Sequence, residues 1–151
     1  MKFLDKYNAF VGAVVTVLTA LFGTYWYIFA GYLLCNILDY ITGYAEARKN
    51  HTESSRTGIV GIMKKVGYWI IVSVAFLIPS MFIKWGKDML GINLSFLQLL
   101  GWFTLATLLI NEIRSILENL VEYGCNVPEF LIKGLAVTEK LISAGADKTA
   151  E

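Results

Sequence analysis

The chain has 151 residues, of which 17% are charged and 56% hydrophobic, with a formal net charge of +1. Soluble domains carry about 25% charge, so this composition argues against one and for an all-α integral membrane protein. Near-neutrality gives no electrostatic reason to expect a nucleic-acid partner, and the chain is too short for a transporter of two repeated halves. Cys35 and Cys125 lie in or beside apolar stretches and read as reduced apolar residues, not a disulfide framework. His51 is the only histidine, so no metal set is expected, and no cofactor.

Met1 to Lys6 forms a short charged head. Ala9 to Phe22 is uncharged and has no small-x-small cleavage site after it, so it reads as an uncleaved first span over about 9–22. So short a helix covers only about 21 Å against roughly 30 Å of hydrocarbon. Either Phe3 to Asn8 lengthen it, or the bilayer thins, or the helix runs on through Gly23. A hairpin with Tyr25 to Tyr27 in the interfacial aromatic belt is the reading adopted. The second span covers about 26–44. Tyr25, Tyr32, Asn36, Asp39, Tyr40 and Gly43 share one face. An Asp in a membrane helix costs about 2.5–3.5 kcal/mol on insertion scales, so Asp39 should face a bundle interior or a wet cavity.

Residues 45–66 read as the main polar connection, with Arg48, Lys49, Arg56, Lys64 and Lys65 against Glu46 and Glu53. It is the most basic connection, which places it in the cytoplasm. Ser54, Ser55 and Thr57 are turn and cap residues. Ile59 to Val66 should lie along the interface, with Lys64 and Lys65 on lipid headgroups. The third span covers about 67–83 and contains Pro79, which predicts a static kink. Lys84 to Leu94 is a less basic loop, suited to the outer side.

Ser95 to Tyr123 predicts one long helix, spanning over about 95–118, with Glu118 and Glu122 projecting into the cytoplasm. At about 100° per residue, Thr104, Thr107, Asn111, Arg114, Ser115 and Glu118 fall on one face. Leu105, Leu109, Ile113, Ile116 and Leu120 fall opposite. Gly124 stops this helix, and Asn126 to Pro128 restart the chain. An amphipathic helix over about 128–143 follows, lying on the membrane or against a neighbouring subunit. Residues 144–151 read as a frayed polar tail. The whole of 1–151 is one membrane domain of about four transmembrane helices plus the C-terminal amphipathic helix. Four spans put both termini in the cytoplasm; three would put the N-terminus outside.

No catalytic set emerges. Gly58 and Gly61 lack the Gly-Lys-Ser/Thr that completes a phosphate loop, and no serine or cysteine has a nearby histidine base. The chain is therefore not expected to be an enzyme. The candidates are the polar helix faces: Asn36, Asp39, Asn111, Glu112, Arg114, Ser115, Glu118 and Asn119 as assembly or pore-lining residues. An interhelical hydrogen bond in a membrane contributes roughly 0.6–2 kcal/mol. The second and fourth helices of one subunit could use some of these groups, for example Arg114 or Lys49 against Asp39. Contacts between subunits would use the rest, and a ring of subunits could line water. The competing readings are a polar face that only packs one monomer, a narrow ion or proton channel using Asp39 and Glu112, and a membrane-anchor subunit.

Four stretches stand out in order: LDYITG (Leu38 to Gly43), SSRTGIVGIMKK (Ser54 to Lys65), NEIRSILEN (Asn111 to Asn119) and GCNVP (Gly124 to Pro128). Together they resemble the phage-lysis and toxin-secretion holin family; the first thirty residues carry no such motif. The resemblance implies a protein that accumulates in the bacterial cytoplasmic membrane and forms homo-oligomers. It further implies lesions large enough to pass an endolysin, or a protein toxin. It marks Asp39, Gly43, Ser54, Ser55, Gly58, Gly61, Lys64, Lys65, Asn111, Glu112, Ser115, Glu118, Asn119 and Pro128 as candidate assembly residues, with no catalytic role.

Overall fold

A computed structural model describes residues 2–150, so the ends of the expected head and tail, Met1 and Glu151, lie outside the described residues. Among the described residues every regular element is helical: α1 (Lys2–Phe22), α2 (Trp26–Lys49), α3 (Ser55–Trp85), α4 (Gln98–Tyr123) and α5 (Glu129–Ala150). They fall into two compact units, one up to Gly31 and one from Tyr32 onward. The first holds α1, a 3-10 turn at Gly23–Tyr25 and the start of α2, where the Tyr25 and Tyr27 rings meet edge-on at 6.2 Å. Phe3 to Asn8 do extend the first helix, which has 21 residues.

Three expected boundaries move. The connection over 45–66 is mostly helical, because α2 continues to Lys49 and α3 begins at Ser55. Ala45, Glu46, Ala47, Arg48 and Lys49 are good helix formers, and the last two place positive charge at the negative end of the helix. Ser54 is extended (φ −142°, ψ 124°) and its carbonyl accepts the Gly58 N–H at 3.0 Å, which opens α3. That helix runs unbroken through Pro79 to Trp85. A π-helical turn at Gly86–Leu90 and a 3-10 turn at Ser95–Leu97 lead into α4. The expected tail is helical as far as Ala150, because the end of α5 has a surface to rest on: a Cβ built on Gly145 would lie 3.2 Å from the Phe103 ring.

In the second unit, α3 and α4 approach closely at Gly101. A Cβ there would sit 2.9 Å from the Phe76 ring and 3.0 Å from the Ala75 carbonyl oxygen. Small residues allow such backbone approach, which is how helices gain packing energy in lipid. Phe76 also meets Trp102 edge-on at 5.0 Å. Tyr32, Val72, Leu105 and Ile110 complete a small buried core. Outside it the apolar residues face outward: Ile59, Met63, Ile70, Leu77, Met81 and Phe82 of α3 are all exposed. Among the described residues, two helical segments, Ser55–Leu90 and Ser95–Tyr123, are long and apolar enough to cross a membrane, each containing an 18-residue stretch of mean hydropathy 2.1 and 1.4 respectively.

Helix α5 turns back along α4. Gly124, at φ +99°, takes the left-handed conformation that ends α4, and its N–H and that of Cys125 return to the carbonyls of Val121 and Leu120. From there Ile132 shares a groove with Val121 and Glu122, Glu139 pairs with Arg114, and Gly145 reaches Phe103. The two helices are therefore antiparallel over most of their length.

Candidate functional site

The polar residues of the second unit gather where α2, α3 and α4 meet. Lys65 of α3 is the centre. Its Nζ lies 2.9 Å from Asp39 Oδ2 of α2 and donates a hydrogen bond to Glu112 Oε2 of α4. The Glu112 side chain is only 7% exposed, and those of Asp39 and Lys65 15% and 16%. One ammonium thus serves two carboxylates. Asn119, two turns beyond Glu112, adds the remaining donor: its Nδ2 donates to Asp39 Oδ1 at 3.0 Å and to Thr42 Oγ1 at 3.1 Å. Gly43 leaves room for it, because a Cβ there would lie 3.3 Å from Asn119 Nδ2.

One turn before Asp39, the buried Asn36 donates from Nδ2 to the Tyr32 carbonyl at 2.7 Å, a bond within its own helix. At the far end Lys49 donates to the Tyr123 carbonyl and lies 5.1 Å over that ring. A cation there complements the negative end of α4.

Taking charges out of water is costly, and mutual attraction offsets that cost only when the remaining donors and acceptors are satisfied. Here Asn119 does that for the Asp39 carboxylate, while the Thr42 hydroxyl donates to the Asp39 backbone carbonyl at 3.1 Å. The consequence is mechanical: three helices are locked in one register. Lys65 occupies the space between the two carboxylates. Among the described residues no group of three His, Cys, Asp or Glu side chains is placed to hold a metal.

Of the sequence candidates, Asp39, Glu112 and Asn119 come together, with Asn36 on the same helix as Asp39. Arg114 does not reach Asp39; it pairs with Glu139 of α5, and Lys49 also goes elsewhere. Ser115 is half-buried. Asn111 and Glu118 are exposed, and neither bonds another side chain among the described residues. The polar face drawn on α4 is thus divided between α5 and the outside, while Glu112 and Asn119, which lie off that face, turn to α2 and α3. Sequence reasoning missed Thr42 and Glu139, and the family resemblance marked Lys65 without giving it a partner. Lys65 had been placed on lipid headgroups, yet it points inward; Lys64 beside it is the exposed one. A signal was present, since Gly58, Lys65, Val72 and Pro79 recur every seven residues and all lie on the covered side of α3.

No solved structure matches the chain. An uncharacterised protein of Halalkalibacterium halodurans is 26% identical over 137 residues, which is 91% of this chain and 95% of that protein. Uncharacterised proteins of Listeria monocytogenes and Listeria innocua are each 36% identical over 100 residues, 66% of this chain and 63% of their own length. Residues 16–140, which include all three helices of the polar cluster, match the bacteriophage holin family, and the chain belongs to that family.

Proposed function

We propose that the protein accumulates in the bacterial cytoplasmic membrane, self-associates there, and opens lesions that release an endolysin or a protein toxin. In this reading α1 and α2 also span, giving four crossings, with α5 returning along the last of them. The turn between α2 and α3, flanked by Arg48, Lys49 and Arg56, and the turn between α4 and α5 face the cytoplasm. Because α5 returns along α4, the end of α5 lies toward the level of Phe103 and not beside the cytoplasmic turn.

The observation that carries the reading is the outward strip Thr107, Asn111 and Glu118 on a helix apolar enough to span. Asn111 and Glu118 need a partner or water in lipid, and the inward carboxylates Asp39 and Glu112 are already paired with Lys65. A second copy, or a water-filled lesion between copies, supplies what one copy lacks.

The test is leakage from liposomes loaded with a small ion and a dye-labelled protein. A holin releases both. Release of the ion alone would establish a narrow channel instead, and release of neither an anchor subunit. In cells expressing the protein, Asn111→Leu and Glu118→Leu should insert normally but delay or abolish the drop in culture density. Unchanged lysis timing in both would refute the assembly role.

A further inference from the structure

The α4–α5 hairpin has a polar side built from both helices. Glu118 and Glu122 of α4 share a groove of about 290 Å³ with Ile132 and Ala136 of α5. Around α5, Lys133 and Lys140 follow Ala136 within about 60° at 100° per residue. They emerge on the same side as the α4 glutamates. All four charged groups are exposed, as is Asn111. The antiparallel register sets their depths. Ile132 lies beside Val121 and Glu122, so Lys133 stands level with Glu118 and Glu122. Lys140 follows the Arg114–Glu139 pair and stands near Asn111. Lys133 has a local partner, Glu129, at 2.7 Å, but both side chains are more than three-quarters exposed (76% and 83%). Such an i,i+4 pair is weak and readily exchanged.

One edge of this face is therefore acidic and the other basic, at matching depths. A two-fold axis along the membrane normal would set α4 of one copy against α5 of another while keeping every residue at its own depth. We propose that this face is the contact between copies, with Lys133 of each seated between Glu118 and Glu122 of the other and Lys140 beside the other's Asn111. The proposal rests on the self-association reading and names the surface that performs it. It also gives α5 a reason to leave water. Lys140 beside a spanning helix is costly in lipid alone, and the opposing copy removes that exposure.

The geometry makes a pairing test possible with the full-length chain. Two differently tagged copies are co-expressed in a bacterium, and co-purification from mild detergent is measured. Lys133→Glu in both copies should lower co-purification about tenfold, as should Glu118→Lys with Glu122→Lys in both. A Lys133→Glu copy mixed with a Glu118→Lys, Glu122→Lys copy restores complementary charge at both contacts, so recovery to near the wild-type level is expected. No loss in the like pairs, or no recovery in the mixed pair, overturns the proposal. So does a Lys133→Glu chain that loses affinity for anionic lipid vesicles while pairing normally, since Lys133 would then serve headgroups. These results leave self-association itself standing. A wild-type chain that never co-purifies removes both.

Discussion

Helix α4 carries polar residues into two different settings. On the side toward α2 and α3, Glu112 and Asn119 meet Lys65, Asp39 and Thr42, and each partner comes from the same chain. On the outward side, Asn111 and Glu118 meet no other side chain among the described residues. Both sets arise from one motif, NEIRSILEN, with about 100° between neighbouring residues deciding which way each points. Polarity in a membrane helix is thus not one signal. The inward set fixes the fold of one copy, and the outward set has to be satisfied by something beyond it.

Mutations that separate the two settings follow, beginning with the strongest. Lys65→Met removes the only cation between Asp39 and Glu112. Breaking a buried ion pair costs about 3–5 kcal/mol, so thermal unfolding in detergent should fall sharply and the protein should fail to accumulate. Lys64→Met, one residue away and exposed, should stay within about 0.5 kcal/mol of the parent. Equal effects from the two would mean that the cluster does not hold the helices together.

Gly101→Ala is expected to cost about 1–3 kcal/mol by overpacking against Phe76 and the Ala75 carbonyl. The same unfolding measurement checks it, and a neutral result would place the α3–α4 contact further apart than described. Asn119→Leu removes one donor to Asp39 and should cost about 1 kcal/mol, the usual scale for such bonds in membranes. Glu118→Leu sharpens the contrast from the other side. It should leave unfolding unchanged within about 0.5 kcal/mol, yet reduce copy number in the membrane and delay lysis.

Much of this was legible in the residues. The four apolar stretches, the stop at Gly124 and the exceptional polarity of Asp39, Glu112 and Asn119 are visible as pattern and composition. Their common destination was not, because a helical wheel describes one helix at a time, and the cation they share comes from a third. Lys65 was assigned to headgroups because Ser54 to Val66 was read as a connection. Once α3 is seen to start at Ser55, the seven-residue recurrence from Gly58 to Pro79 carries Lys65 inward. The return of α5 along α4 was equally out of reach. Glu139 is an ordinary surface residue in sequence, and only the antiparallel register brings it to Arg114.

The most direct measurement of the central claim is the number of copies per particle when the purified chain is reconstituted in lipid at rising protein density, counted by single-molecule bleaching. Particles should grow beyond one copy for the parent chain and for Asn36→Leu, which alters only an inward contact, and should remain small for Asn111→Leu. A parent chain that stays single-copy at every density, with the inner cluster intact, would contradict the account.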